Sequence, residues 1–565
     1  MLMIEKTEAV REDISVVLCG QAGQGIQTVE KILVHILKQT GYHVFATKEY
    51  MSRVRGGMNS TEIRISSQRV SAYTDRIDIL VPFHDDALSH LKSRISSSTQ
   101  ILADKGHLDV PFAELASDIG GKIYQNILAA GVILGLFSAD ESRMFNFIQN
   151  MFHQKGETIV QKNRTAVAKG YEIGKNFLKT NKLDFNLKKD SRIKDEILLN
   201  GAEAVGLGAL GGGCNFLSSY PMSPSTGVLV FLAHQTEKFD IVVEQVEDEL
   251  SAINMALGAS YAGARALVTT SGGGFALMSE GVSLAGMIET PVVIHVAQRP
   301  GPATGLPTRT EQADLDLVLY SGQGEFPRII LAPGSLDDAF FLTQKAFNLA
   351  DKYQVPVFIL TDQYFVDSTY NTLPFDLDRI CINKHIVKTT KDYKRFSLTK
   401  NGISPRGIPG FGDGLVGVDS DEHDEDAHIT ENLDLRTKMV NKRLKKLDAI
   451  KEDTILPVLV GPEDYRYLVI GWGSSFPMIK EALSKIERTD IALLHFNQLF
   501  PLSRKLSDYL NRAEKILLVE GNATGQFGKL IKLYTGIEIV EKILKYNGMP
   551  FSVDELIDKI QKCIG

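Results

Sequence analysis

The chain has 565 residues, 44% of them apolar and 23% charged, with a net charge of −7. That length exceeds one hydrophobic core and predicts three or four domains of roughly 100–200 residues each. The composition is that of an ordinary globular enzyme, and the acidic balance leaves no basic stripe for nucleic acid and no attraction to an anionic membrane.

The opening residues lack the apolar run of a secretory signal, and no segment holds the roughly 20 apolar residues that cross a bilayer. A cytoplasmic protein is expected. Its cysteines, Cys19, Cys214, Cys381 and Cys563, form no C-x-x-C pair and have no histidine at zinc-ligand spacing. A disulfide framework, a zinc site and an iron–sulfur cluster held by this chain alone are therefore not expected. Redox chemistry would need its cluster on another chain.

In chain order, ISVVLCG (14–20) reads as a buried parallel strand. A glycine turn and a helix through Ile32, Leu33, Ile36 and Leu37 follow, closed by Gly41. YHVFAT then reads as a second strand, giving a β-α-β opening whose alternation runs to about residue 180. The polar stretch 182–195 reads as a linker. A second α/β block has strands at 264–271, 291–298, 327–333 and 355–362, with Gly/Ala-rich helices between them. Residues 375–455 change character: KNGISPRGIPGFGDGLVG, the acidic DSDEHDED and the basic LRTKMVNKRLKKL read as an arm. A third α/β block follows, with strands at 465–475, 490–496 and 515–521. The expected fold is α/β, three doubly wound parallel-sheet domains. Its expected segments are 10–182, 195–372, an excursion over 373–455, and 456–565.

Several stretches carry candidate chemistry. GQAGQGIQT (Gly20 to Thr28) puts Gly23 and Gly25 between a strand and a helix, where backbone N–H groups meet a phosphate; a structural tight turn fits equally. Arg53 and Arg55 in SRVRGGMNS read as a phosphate or subunit contact, or as a solvated loop. In SSYPMSPSTG, Pro221 and Pro224 bracket Ser223, whose hydroxyl sits on a preset backbone; an ordinary proline turn looks similar. Glu244, Glu247, Asp248 and Glu249 lead into a helix, which suits its dipole. Glu249 differs in being followed at once by the apolar face, where a carboxylate could be buried and share a proton with a heterocycle nitrogen. TTSGGGFALMSEG, with Gly273, has the strand–glycine–helix order of an α/β active-site edge. After the strand ending at Gln298, Arg299 heads a Gly/Pro/Thr loop that includes Thr308; it reads as a carboxylate clamp or as a structural ion pair.

Taken together, these stretches resemble the α subunits of 2-oxoacid:ferredoxin oxidoreductases with a γ portion fused at the N-terminus. GQAGQGIQT is similar to the γ glycine motif, and YPMSPST to the family's YPITPST. EDELSAINMALGASYAGARA, TSGGGFALMSEG and QRPGPATGLPTRTEQ resemble the pyrimidine-binding domain. GISPRGIPG with DEHDEDAHITE resembles the central segment, and VIGWGSS, LLHFNQLFP and VEGNATGQ the C-terminal domain. The resemblance implies a Rossmann-like γ domain, a thiamine-diphosphate pyrimidine-binding domain and a transketolase C-terminal-like domain. It implies that Glu249 hydrogen-bonds N1′ of the aminopyrimidine, with Pro221 and Gly273 lining the cofactor. It implies that Ser223, which stands where the family usually has threonine, Arg299 and Thr308 bind the substrate carboxylate. Gly23, Gly25, Arg53 and Arg55 would meet a phosphate, coenzyme A or a subunit.

The implied activity is coenzyme A-dependent oxidative decarboxylation of a 2-oxoacid, with electrons passed to ferredoxin. 2-Oxoglutarate, giving succinyl-CoA, is favoured over pyruvate and branched-chain acids. The implied partner is a β subunit carrying the diphosphate, Mg²⁺ and a [4Fe–4S] cluster, in an (αβ)₂ heterotetramer. A Gly412-Asp413-Gly414 turn and Asn441 fit the spacing of a diphosphate–Mg²⁺ motif, but no strand precedes the turn and an acidic loop follows it, so no metal site is expected on this chain. DSDEHDED reads as an acidic solvated loop. The alternatives are a self-contained thiamine-diphosphate enzyme and a nucleotide-binding assembly subunit without catalysis.

Overall fold

The computed structural model describes residues 12–51, 57–180, 185 and 187–565, so Arg53 and Arg55 lie outside the described residues. The chain forms two compact units. The first runs to Leu199 and takes back Ser368–Pro374; the second holds Asn200–Asp367 and Phe375–Gly565.

In the first unit the apolar opening run is the strand Asp13–Gln21, buried along its middle. It pairs in parallel with Ile79–Pro82 and antiparallel with Met58–Ser66. His43–Glu49 pairs with the far side of Met58–Ser66, also antiparallel. The β-α-β opening therefore closes around a third strand, because an antiparallel neighbour needs no crossover helix. Thr369–Thr372 adds to His43–Glu49, far from its sequence neighbours, and Ile197–Asn200 follows it at the edge of this sheet. The helix Ile26–Thr40 buries Ile32, Leu33, Ile36 and Leu37 and ends at Gly41, whose φ of 104° suits a glycine cap. Helices Gln125–Leu136 and Glu157–Lys179 cross glycine on glycine: a Cβ on Gly131 or Gly135 would overlap the backbone of the second helix, and one on Gly170 or Gly174 that of the first.

The second unit holds two sheets. The larger orders Gln498–Phe500, Ile329–Leu331, Pro356–Asp362, Val292–Gln298, Ala266–Thr270, Phe216–Ser219 and Val242–Gln245. All its pairings are parallel except that of the edge strand Gln498–Phe500. The chain leaves Phe216–Ser219 toward Val242–Gln245 on one side and returns to Ala266–Thr270 on the other. The sheet thus has its topological switch point between Phe216–Ser219 and Ala266–Thr270, where α/β sheets open a crevice at the carboxyl ends of their strands. The smaller sheet is formed by Val458–Val460, Ile491–Phe496, Tyr467–Trp472, Lys515–Glu520 and Glu541–Leu544. The apolar side chains of both sheets share one core.

The stretch 375–455 is bound to this unit by buried charge. Its helix Leu433–Glu452 brings Lys442 and Lys446 to the Glu289 carboxylate, each at 2.5 Å, and Arg395 donates to the Glu289 carbonyl at 2.6 Å. The acidic run is not a freely solvated loop. His423 is fully buried against the Phe396 ring, and Glu422 pairs with Arg443 at 2.9 Å and with Arg436. The flanking basic helix supplies the counter-charges that make this burial tolerable. Gly412-Asp413-Gly414 is a turn pinned to Thr389, whose carbonyl accepts from Asp413 N at 2.9 Å and whose hydroxyl accepts from Gly414 N at 3.1 Å.

Burial alone would raise the Glu289 carboxyl, but Lys446, Lys442 and Arg395 outweigh it and hold it well below the usual range. Glu289→Ala strands two buried ammonium groups, a loss of about 3–5 kcal/mol. The expected result is a lower denaturant midpoint for this subunit at pH 7. The deficit should shrink as pH falls below about 4.3 toward the depressed folded-state pKa, because the wild-type contribution is complete above the unfolded glutamate pKa and is lost as the folded carboxyl protonates. Among the described residues, no single helix is long and apolar enough to cross a membrane.

Candidate functional site

At the switch point of the larger sheet, the strand ends are tied to one another by side chains. Ser219 Oγ donates to Thr269 O at 2.6 Å, and Ser218 Oγ donates to Ala252 O at 2.6 Å. Beneath them, His295 bridges Thr269 Oγ1 through Nδ1 and Thr361 Oγ1 through Nε2, both at 2.8 Å. Burial pushes the His295 imidazole down to about 3, so it serves as a neutral strut between strands. This lattice fixes the platform on which the candidate residues stand.

The helix Glu249–Tyr261 enters over this platform. Asp248 does the ordinary work of an acid at a helix start, its Oδ1 accepting from Ser251 N at 2.7 Å. Glu249 is released from that role. It is 2% exposed, and its Oε1 is buried with no hydrogen-bond partner among the described residues. Burial raises its pKa; its own backbone N–H and Arg299 oppose the rise, and Asp248 adds to it. The carboxyl lies over Gly274, where a Cβ would overlap Glu249 Oε1 and Thr270 Oγ1. The glycine run after Ala266–Thr270 is thus the floor that lets a carboxylate lie flat on the turn. Gly273, beside it, is exposed.

Arg299 follows the strand Val292–Gln298 directly. Its Nη1 donates to the Ser223 carbonyl at 2.7 Å, so the structure brings these two predicted residues together. The Ser223 side chain is on an exposed residue, and Pro221 is half-buried two residues earlier. The Arg299 Nε is buried and has no partner among the described residues. Burial lowers the guanidinium pKa, while Asp314 and Glu249 raise it, which places both carboxylates within electrostatic reach of Arg299. Thr308 is half-buried farther along the loop and hydrogen-bonds to none of these groups among the described residues. Its neighbour Thr310 instead anchors the loop, donating to Asp362 Oδ1 at 3.2 Å.

Two residues of the cluster escape sequence reading. Ser271 Oγ and Asp314 Oδ2 are buried without partners, and a Cβ on Gly272 would overlap the Asp314 carboxylate. Asp314 precedes the short helix Leu315–Tyr320, so in sequence it passes for a helix cap, yet its side chain caps nothing. Among the described residues, four polar atoms, on Glu249, Ser271, Arg299 and Asp314, therefore stand unpartnered around one glycine turn. Burying bare polar atoms costs about 1–3 kcal/mol each. Their grouping at the carboxyl edge of a parallel sheet fits a polar ring with acceptor and donor nitrogens, and an anionic group at the guanidinium.

In the first unit, Gly23 and Gly25 have φ of 88° and 74° and lead into the helix Ile26–Thr40. They line a cavity of about 390 Å³ with Thr28, Lys48, Tyr50 and Ser60. Positive φ turns successive N–H groups outward and glycine tolerates it, so this loop can meet an anion.

Residues 207–442 match the family described as pyruvate flavodoxin/ferredoxin oxidoreductase, thiamine diphosphate-binding, and residues 15–173 match the pyruvate ferredoxin/flavodoxin oxidoreductase family. A 2-oxoacid:ferredoxin oxidoreductase subunit alpha of Sulfolobus sp is 34% identical, over 98% of this chain and 97% of that protein. The 2-oxoglutarate oxidoreductase subunit KorA of Mycobacterium tuberculosis is 28% identical, over 96% of this chain and 90% of that protein. The 2-oxoglutarate:ferredoxin oxidoreductase from Magnetococcus marinus, solved with 2-oxoglutarate, coenzyme A and succinyl-CoA bound, superposes with a TM-score of 0.92. It is 28% identical, over 98% of this chain and all of that one.

Proposed function

From the premise that the chain belongs to the α subunits of the thiamine-diphosphate-dependent 2-oxoacid:ferredoxin oxidoreductases, we propose that it supplies one half of the active centre. This half holds the aminopyrimidine of thiamine diphosphate and the substrate carboxylate. The diphosphate, Mg²⁺ and a [4Fe–4S] cluster then belong to a partner β subunit in an (αβ)₂ assembly in the cytoplasm. The proposed reaction is coenzyme A-dependent oxidative decarboxylation of 2-oxoglutarate to succinyl-CoA, with ferredoxin as electron acceptor. The relatives named for 2-oxoglutarate support that substrate over other 2-oxoacids.

One observation carries the reading: the unpartnered Glu249 carboxyl oxygen, buried on the Gly274 floor at the switch point. When bound, the cofactor supplies the nucleophilic carbon and the electron sink that decarboxylation needs. Glu249, its pKa raised by burial, holds or gives up a proton at Oε1 toward a ring nitrogen. Gly273 and Pro221 leave room beside it. Arg299 orients the substrate carboxylate by charge and by its spare N–H groups, and the Ser223 and Thr308 hydroxyls complete that clamp. Leu250, Met255 and Leu277 are exposed apolar side chains near the Glu249 entrance, and they suit cover by another polypeptide. The cavity at Gly23 and Gly25 is assigned to a phosphate of coenzyme A. The proposed division is a γ domain over 10–182, a pyrimidine-binding domain over 195–372, an arm over 373–455 and a transketolase C-terminal-like domain over 456–565.

The test is to purify the chain alone and with its β partner, and to assay 2-oxoglutarate, pyruvate and branched-chain 2-oxoacids with coenzyme A and a viologen acceptor. Dye reduction is expected only from the two chains together, with the highest kcat/KM for 2-oxoglutarate. Tight Mg²⁺-dependent binding of thiamine diphosphate by this chain alone would overturn the shared-site reading.

A further inference from the structure

Asp314 has no place in the scheme above, yet it is built into the same cluster. Its backbone N–H is held by Gln298 Oε1 at 3.0 Å, and Gln298 Nε2 in turn donates to Thr361 O at 3.0 Å. Its carboxylate is laid against Gly272, the one residue type that leaves room there. Its Oδ2 is buried and unpartnered, although a helix start lies next to it that an aspartate would ordinarily cap. Gln526, from the helix Gln526–Thr535, ties the flanking residues by donating to Ala313 O at 2.8 Å and accepting from Asp316 N at 3.0 Å. The residue is therefore fixed from both sides, and its Oδ2 has no hydrogen-bond donor among the described residues.

The charged groups that face it are few. Glu311 lies on its own loop, and Arg299, which also feels Glu249, directly follows Gln298, the residue that holds the Asp314 N–H. The Gly272–Leu277 helix against which it lies contains no charged residue, and Lys529 of the helix Gln526–Thr535 is engaged with Asp316 at 3.9 Å. Among the described residues, Arg299 is thus the cation that acts on both buried carboxyl groups. A substrate carboxylate arriving at Arg299 adds a further negative charge beside these groups.

We propose that Asp314 is a positioning residue that governs Arg299: ionised, it competes with the substrate carboxylate for the guanidinium, and it gives Arg299 up by taking one proton from solvent as the 2-oxoacid binds. The inference rests on the reading of Arg299 as the carboxylate clamp. Its working range follows from its surroundings. Burial, and then Glu311, push the Asp314 carboxyl up to about 7, against Arg299. Below that pH the group is neutral and substrate meets an uncontested guanidinium. Above it the group is ionised and binding weakens, while the substrate's own carboxylates stay ionised throughout.

The experiment is the pH dependence of KM and kcat for 2-oxoglutarate in the assembled complex, from about pH 6 to about pH 8.5. Wild-type KM is expected to rise about fivefold through neutrality, the scale of one screened charge–charge interaction. Asp314→Asn should hold a low, pH-independent KM. A wild-type KM that stays flat, or an Asn variant that keeps the rise, overturns the proposal. Should the variant fail to assemble, calorimetry on the wild-type complex with 2-hydroxyglutarate, in buffers of different ionisation heat at about pH 7, reads the proton directly. Uptake of a fraction of a proton per site is expected, and none overturns the proposal. Arg299→Ala separates the two readings. If it leaves KM unchanged at every pH, the clamp falls and this inference with it. If it raises KM while the wild-type profile is flat, the role of Asp314 alone falls.

Discussion

Glu249→Ala in the assembled complex is expected to lower kcat by about 10²–10⁴-fold, the range spanned by removal of a positioned acid–base group. KM for the 2-oxoacid should change far less, because the substrate carboxylate is assigned to Arg299. Assembly and melting temperature should survive, for a physical reason. Glu249 Oε1 has no hydrogen-bond partner among the described residues, so deleting the carboxyl removes chiefly a desolvation cost. Glu249→Gln keeps the volume and a hydrogen-bonding oxygen but cannot exchange a proton, and it should fall nearly as far. Near-wild-type turnover of both variants in an intact complex would reject the assigned role.

Gly274→Ala is expected to cost turnover by about the same mechanism without touching the acid, with kcat down roughly 10²-fold. The residue lies inside the Gly272–Leu277 helix and is not among the glycines with positive φ, so alanine is conformationally acceptable there. Its methyl would overlap both Glu249 Oε1 and Thr270 Oγ1. Neither can yield freely. Glu249 is 2% exposed, and Thr270 is the last residue of a fully buried strand. The displaced carboxyl should also weaken binding of thiamine diphosphate to the complex, measured by titration of apo-complex with cofactor. Overpacking of this kind costs about 1–3 kcal/mol of stability, so a melting curve of the same sample separates a misplaced acid from a misfolded chain. A fully active Gly274→Ala complex would show that the carboxyl need not lie on that floor.

Much of this arrangement could be read from residue order, and some could not. The central strands of the larger sheet were legible because parallel strands buried on both faces become unbroken apolar runs, as in PVVIHVAQ and VPVFILTD, whereas the short strands Phe216–Ser219, Val242–Gln245 and Gln498–Phe500 were not. Glu249 was legible because an acid set directly before an apolar helix face has no solvated place to go. Thr369–Thr372 was not, since a four-residue strand that returns to a distant sheet leaves only a local pattern. The acidic run over 419–426 read as solvated because its counter-charges, Arg436 and Arg443, lie on the helix that follows it. Asp314 was invisible for the opposite reason: its sequence context supplies a complete and ordinary explanation, a helix cap, that the fold does not use.

The sequence by itself determined the α/β class and the family, because both are written in short-range periodicity or in motifs of contiguous residues. Only the tertiary structure decided which polar atoms go without partners. Whether a carboxyl or guanidinium is satisfied depends on groups brought from several strand ends at once. Gly272 and Gly274 beneath two acids, and Arg299 within electrostatic reach of both, meet only when parallel strands place their carboxyl ends along one edge.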